Sequence, residues 1–333
     1  MSIAVHSFAK INLGLKIGPA RADGFHELRT IYQTIALHDV VRVEVQSGSG
    51  IEIRCNDPRV PLDESNTCYK AAERVLKIAK ARAQVIVQIE KRLPVQGGMG
   101  AGSSNAVATM LGLERALETK LSAEDKLRIA AAIGSDVPLF LIGGTVLGIG
   151  RGEEVYPLQD LPSMHLVLVT PPIGVSTPQA FAQWDDLVAR EAELTGAGAT
   201  GTINKFSQAV YAWLSESVFS RAVSASEPAS GVPAVGGDRA ETPLLDLVRA
   251  GIENDFERVV FPEYPDLREV KRVLEREDAR YASLSGSGSA LYGLFGSGEE
   301  AQAAAVRLRA LGHAAVATTT LTREEYWNAA AWG

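Results

Sequence analysis

Only two cysteines, Cys55 and Cys68, occur in 333 residues. That excludes a disulfide framework, and their positions give no metal spacing, so both are expected to be buried or half-buried thiols. Long hydrophobic runs are also missing. The longest mostly apolar stretch, Val137 to Gly150, is broken by Gly143-Gly144 and falls short of the roughly 20 residues a spanning helix needs. Lys10 and Asn12 interrupt the apolar residues of the N-terminus early, unlike a secretory signal, and the expected location is the cytoplasm, away from any membrane. A basic excess is absent: Lys and Arg total 33 against 40 Asp and Glu, a net charge of −7 with a pI near 5.4. A nucleic-acid partner is therefore not expected, and an anionic ligand must be met by local cations and backbone dipoles. No Gly-Lys-Ser or Gly-Lys-Thr follows the glycines of the central loop, which excludes a Walker-type P-loop. No internal repeat or heptad run stands out. With hydrophobic residues at 46% and charged ones at 22%, the composition is that of a globular protein, long enough for two domains or one large one.

What the sequence does have is a glycine-rich loop. Pro94 to Val107 reads PVQGGMGAGSSNAV, with Gly97, Gly98, Gly100 and Gly102 followed by Ser103 and Ser104. Before it, Gln84 to Glu90 places Val85, Val87 and Ile89 on one face, as in a half-buried strand. After it, Val107, Met110, Leu111, Leu113 and Leu117 recur at helical spacing from Asn105 to Glu118. Strand, glycine loop and helix in that order direct free backbone N–H groups and the positive end of a helix at an anion. Glycine admits close approach of a phosphate, and Ser103 or Ser104 can cap the helix or donate a hydroxyl. A dinucleotide fingerprint would need glycine where Ser103 stands, and a protein-kinase loop would join two strands. A plain turn whose serine caps the helix remains the alternative from spacing alone.

Along the rest of the chain, residues 7–17 read as a strand with Lys10 and Asn12 on one face and Ile11, Leu13 and Leu15 on the other. Arg21 to His26 is a turn around Asp23-Gly24. Residues 27–34 and 40–45 read as extended segments. A helix is expected over 68–81, capped by Ser65 or Asn66, and another opens at Ser122 with a capping box and stops near Gly134. Ser135-Asp136-Val137-Pro138 follows, where an aspartate is by itself an ordinary turn residue. Strands are expected at 145–150, 166–169 and 314–321, and helical segments at 253–276, broken by Pro262 and Pro265, and at 299–311. Residues 282–295 hold a second glycine–serine loop, Gly286-Ser-Gly-Ser, leading into a strand. Between about 190 and 245 the composition shifts to Gly, Ala, Ser, Thr and Pro, around one amphipathic helical spacing at Phe206, Val210, Leu214 and Val218.

Three separated segments, Ser7-Phe-Ala-Lys-Ile-Asn-Leu, the Pro94-to-Val107 loop and Leu284-Ser-Gly-Ser-Gly-Ser-Ala, together resemble the galactokinase, homoserine kinase, mevalonate kinase and phosphomevalonate kinase (GHMP) superfamily. Within it the chain is most similar to the branch whose acceptor is a cytidine diphosphate conjugate of methylerythritol. Arg21-Ala-Asp-Gly-Phe-His-Glu-Leu, Lys91-Arg-Leu-Pro, Gly100-Ala-Gly-Ser-Ser-Asn-Ala, Gly134-Ser-Asp-Val-Pro and Asn254-Asp-Phe-Glu carry that choice. The resemblance spans nearly the whole chain outside 190–245. It implies an α/β fold, an α+β sandwich of two domains with the active site in the cleft between them. The first domain would run over 1–160, and the second over 161–333 with an insertion at about 190–245. It also implies transfer of the γ-phosphoryl group of ATP to the 2-hydroxyl of that small molecule, with Mg²⁺ accompanying ATP.

By the same resemblance Asp136 is the catalytic base and Lys10 its charge partner, with Asn12 beside the acceptor. Phe25 and His26 match an aromatic–histidine pair that stacks on and reads the cytosine, and many relatives have Tyr where Phe25 stands. Thr177 and Phe181, in a Thr-Pro-x-x-Phe pattern, would form the opposite wall. ATP would meet Asn66, Thr67, Lys91, Pro94, Gly97, Gly98, Gly100, Ala101, Gly102, Ser103 and Ser104. No metal ligand stands out, although Ser104 or Glu153 could contribute. A kinase of another small alcohol, homoserine or mevalonate, is the nearest rival, and Phe25-His26 separates the two because neither acceptor carries a cytosine. A non-catalytic nucleotide-binding protein of the same fold would have no use for Lys10 and Asp136 together.

Overall fold

The computed structural model describes residues 2–95, 97–195, 206–208 and 253–330. Two long strands, β1 (Ser2–Ala20) and β2 (His26–Gln46), form an antiparallel pair that places Lys10 opposite Thr34 and Asn12 opposite Tyr32. The two extended segments expected at 27–34 and 40–45 are thus one strand. The register shifts between Phe8/Ala9, where Phe8 pairs with His38 and Ala9 with Ile35, so Ala36 and Leu37 are taken up in a bulge and pairing resumes. β3 (Gly50–Cys55) lies parallel to β4 (Gln84–Glu90), and α1 (Thr67–Ala79) makes the crossover between them. With β5 (Thr145–Ile149) and β6 (Glu154–Pro157), these strands make a sheet in the order β3-β4-β2-β5-β6, with β1 alongside β2. α1 and α2 (Ala101–Ala116) cover it, with α3 (Ala123–Ile133) packed against those two helices, and Val43, Val87, Ile89, Met110 and Leu113 are buried in their shared core.

The second sheet, in the order β10-β7-β9-β8, is antiparallel throughout: β7 (His165–Val169), β8 (Tyr281–Leu284), β9 (Leu291–Phe295) and β10 (Ala315–Thr319). α4 (Thr177–Thr195), α5 (Glu257–Glu263), α6 (Pro265–Arg276) and α7 (Gly298–Ala310) enclose its outer core around Trp184, Phe256, Leu267, Leu274 and Leu308. The chain passes from one sheet to the other between Pro157 and His165. α8 (Arg323–Ala330), which the sequence reading did not anticipate, returns to the first half: Tyr326 Oη donates to the Phe140 carbonyl at 2.7 Å and Trp327 Nε1 to that of Ile142 at 2.9 Å.

A third core joins the sheets. Ile11, Leu13 and Ile31 from the first meet Leu166, Leu168, Tyr292 and Leu294 from the second. β1 is therefore covered on both faces, and Lys10 and Asn12 are buried although the alternation marked theirs as the polar face. Of the 190–245 segment, α4 extends to Thr195 and Phe206 is buried in the shared core. Val210, Leu214 and Val218, with both loop segments of that stretch, lie outside the described residues.

Candidate active site

The glycine loop is held from beneath by a residue the sequence reading missed. Asp39, fully buried on β2, accepts hydrogen bonds from the backbone amides of Arg92 at 2.8 Å and Leu93 at 2.7 Å, from Lys91 Nζ at 2.8 Å and from Asn105 Nδ2 at 3.1 Å. Four donors offset the cost of burying its charge. Asn105 in turn accepts from Ser7 Oγ at 2.5 Å, which ties the first turns of α2 to β1. The helix begins at Ala101, four residues earlier than its apolar spacing indicated. Gly100, in the left-handed region at φ +66°, is its N-cap without any side-chain cap. Ser103 and Ser104 are therefore helical, and neither caps.

A cavity of about 370 Å³ sits at this helix N-terminus, lined by Asn66, Thr67, Lys91, Pro94 and the residues from Gly97 to Ser103. Ser104 does not line it and is buried. Unpaired amides of a first helical turn suit a phosphate. Several expected ATP contacts already have protein partners. Asn66 caps α1, accepting from the Cys68 amide at 2.8 Å and donating to the Pro61 carbonyl at 2.6 Å. Thr67 Oγ1 donates to the Gly102 carbonyl at 2.7 Å. Lys91 spends its ammonium on Asp39, so its contribution to the wall is its aliphatic stem.

Beside the loop lies the charged pair. Lys10 is only 2% exposed, and its Nζ stands 3.3 Å from Asp136 Oδ2 and donates to Asn12 Oδ1 at 2.7 Å. Its backbone amide donates to the Met99 carbonyl at 3.0 Å, and a Cβ at Gly100 would lie 3.2 Å from Lys10 Cγ. Loop and lysine are thus in contact. Asp136 follows α3 in a turn closed by the Val137 amide on the Gly134 carbonyl at 3.1 Å, and its half-open carboxylate faces the buried lysine. Tyr32 donates its hydroxyl to Asp136 Oδ1 at 3.1 Å. Burial pushes that phenol far above its usual range, with the charge of Asp136 adding to the effect, so it remains a donor. Nothing in the residues around Tyr32 marks it; the pairing of Asn12 with Tyr32 brings it to the site.

The second glycine–serine loop closes against the first. Ser285 Oγ donates to the Gly98 carbonyl at 3.1 Å and the Ala290 amide to the Gly97 carbonyl at 3.3 Å. A Cβ at Gly286 would stand 3.5 Å from both Lys10 Nζ and Asn12 Oδ1. Asn254 sets this loop's shape, donating to the carbonyls of Leu284 and Gly286, each at 2.8 Å. Thr177, first residue of α4, shares a hydrogen bond with Ser287 at 2.7 Å.

The aromatic residues divide differently from expectation. Phe25, 50% exposed at the tip of its turn, carries the Arg151 guanidinium over its ring at 4.9 Å. His26 is buried and stacks on Phe181 at 4.8 Å with 8° between the planes, so Phe181 lies directly against the histidine it was expected to face across a base. Phe181 is itself backed by Phe256. His26 Nε2 is 2.7 Å from Asp185 Oδ1 on α4, a partner the sequence reading did not identify. Arg151 also donates from its amide and its Nε to Glu153, at 2.6 and 2.9 Å. Burial raises the Glu153 carboxyl, but hydrogen bonds from its own amide and from Arg151 outweigh this and leave it below its usual range. Among the described residues no three His, Cys, Asp or Glu side chains gather to hold a metal ion. Nor is any helix among them long and apolar enough to cross a membrane.

Two sandwiched sheets with two glycine–serine loops meeting over a buried Lys–Asp pair define a kinase of the GHMP class. The family described as GHMP kinases N terminal domain matches residues 66–144, and GHMP kinases C terminal matches 241–314. The fold alone is shared with a homoserine kinase from Cytophaga hutchinsonii (19% identity, TM-score 0.65, covering 96% of this chain and 95% of that one). The chain is 38% identical over 293 residues to the 4-diphosphocytidyl-2-C-methyl-D-erythritol kinase of Solibacter usitatus, covering 87% of this chain and 80% of the relative. To that of Moorella thermoacetica it is 33% identical over 320 residues, 96% and 99% of the two chains. A crystal structure of 4-(cytidine 5'-diphospho)-2C-methyl-D-erythritol kinase superposes with a TM-score of 0.69 at 29% identity, covering 95% and 98%. The chain belongs to the 4-diphosphocytidyl-2-C-methyl-D-erythritol kinase family and is a phosphotransferase.

Proposed function

We propose that the chain transfers the γ-phosphoryl group of ATP to the 2-hydroxyl of 4-diphosphocytidyl-2-C-methyl-D-erythritol, giving the 2-phosphate and ADP, a step toward isoprenoid precursors by the methylerythritol phosphate route. One observation carries the reading: the Lys10–Asp136 pair, 3.3 Å apart at the junction of the two glycine–serine loops. Phosphoryl transfer asks a protein for positioning, for charge stabilisation and for one group to take the hydroxyl proton. Asp136 takes that proton. Lys10, held by Asn12, faces the charge that develops between acceptor and donor, and Tyr32 fixes the other oxygen of the carboxylate. The amides from Gly97 to Ser103 hold the phosphates, with Asn66, Thr67, Lys91 and Pro94 walling the nucleotide.

Mg²⁺ accompanying ATP would supply charge neutralisation at the phosphates that the Gly97-to-Ser103 amides hold. Ser104 is buried away from the cavity and the Glu153 oxygens are held by Arg151, so neither is offered as a ligand of that ion. At the acceptor end Phe25 and His26 receive the cytosine, and Thr177 and Phe181 border it from α4. The domains divide near 160, with α8 packed back on the first. Coupled ADP release tests the reading: turnover with the cytidylyl substrate and none with homoserine or mevalonate is expected. Equal turnover of an acceptor lacking the cytidyl group would contradict it.

A further inference from the structure

His26 is held by two residues of one helix. Phe181 and Asp185 are four positions apart on α4 and so share a face; the first stacks on the imidazole and the second reaches Nε2 at 2.7 Å. Turning the ring over in its plane would put Cε1 where Nε2 stands and forfeit the Asp185 contact, while the stacking on Phe181 resists any tilt. An ionised carboxylate accepts and does not donate, so Nε2 carries the proton. In the neutral ring Nδ1 is then a bare acceptor, and among the described residues it has no hydrogen-bond partner. Asp185 is more than half exposed and makes no other ion pair among those residues.

We propose that Asp185 is a positioning residue that fixes the tautomer of His26 and thereby makes the site select an amino group over a carbonyl on the base that docks there. This rests on the reading above that a pyrimidine of the acceptor docks at Phe25 and His26. The exocyclic amino group of cytosine donates to Nδ1. Uracil carries a carbonyl at that ring position, so two acceptors would face each other. The choice of a cytidine over a uridine conjugate is thus written on α4, 159 residues along the chain from the histidine it acts through.

The test compares kcat/KM for the cytidine and uridine diphosphate conjugates of methylerythritol in the wild type, Asp185→Asn and Asp185→Glu. An asparagine can turn its amide to donate to Nε2, which moves the ring proton to Nδ1; in a Ser-His-Asp triad the same substitution imposes the wrong tautomer. The wild type is expected to prefer the cytidine conjugate about tenfold or more, the cost of opposing two acceptors. Asp185→Asn should lose most of that preference through KM with kcat little changed, and Asp185→Glu should keep it. Nitrogen-15 spectra of the unliganded protein should show His26 protonated at Nε2 in the wild type and at Nδ1 in the asparagine variant. An unchanged preference in Asp185→Asn, including an equal loss for both substrates, would overturn the role of Asp185 while leaving base docking intact. A wild type with no preference would overturn both.

Discussion

Gly98→Ala separates the scaffold role of the glycine loop from its ligand role. Gly98 has φ +71°, and a Cβ there would collide with the Ser285 carbonyl, itself backbone of the second loop. The left-handed conformation costs a non-glycine residue about 1–2 kcal/mol. Relieving the collision separates the loops and breaks the Ser285–Gly98 and Ala290–Gly97 hydrogen bonds, each worth about 1 kcal/mol. A loss of about 3–4 kcal/mol is expected before any repacking, with turnover lost as the second loop leaves Lys10. Gly102→Ala is the comparison. Gly102 lies in the first turn of α2, and a Cβ there meets only Thr67 Oγ1, at 3.6 Å. Alanine at that helical position stabilises by up to about 1 kcal/mol, while its methyl sits on the cavity wall and should raise the KM for ATP severalfold. Denaturant unfolding together with steady-state kinetics reads both. A Gly98→Ala protein as stable as the wild type would refute the interlocked-loop reasoning, and so would a Gly102→Ala protein that unfolds more easily than Gly98→Ala.

Three further outcomes are expected. Tyr32→Phe removes the hydroxyl from Asp136 Oδ1 and should lower kcat about tenfold, the worth of one hydrogen bond to a charged group, with little change in the KM for ATP. Asp39→Ala leaves the Lys91 ammonium buried without a partner and should destabilise by about 3–5 kcal/mol in denaturant titration. Burial pushes the Cys68 thiol up to about 12, against an ordinary value of 9.0. The folded state keeps its proton over that window, so this contribution to stability is full below about 9 and falls as pH rises toward 12. At pH 8 a thiol reagent should modify the half-buried Cys55 before Cys68.

The architecture was legible because its punctuation is local. Ser122 caps α3 by accepting from the Asp125 amide, Pro265 opens α6, and Lys10, Asn12 and Asp136 sit in segments whose wording is distinctive. The misses share a physical cause. Asp39, Tyr32 and Asp185 act through partners tens of residues away or more, brought near by strand register or helix docking, and nothing adjacent in sequence marks them. The start of α2 was read late because Gly102-Ser103-Ser104 has loop composition; the positive φ of Gly100 begins the helix where no side chain does. β1 looked half-buried because alternation reports a polar face but not whether a second sheet will cover it. Lys91 was expected to face the nucleotide, and its pairing with Asp39 depends on β2 continuing through a bulge.

Asp136→Ala, assayed by ADP release with the cytidylyl substrate alongside calorimetric ATP binding, isolates the group assigned to the proton. Loss of turnover by about 10²–10⁴-fold with ATP affinity within a fewfold of the wild type is expected, because Asp136 meets Lys10 and Tyr32 while the nucleotide cavity is built by other residues. Turnover like that of the wild type in a folded Asp136→Ala protein would contradict the assignment of Asp136 as the base.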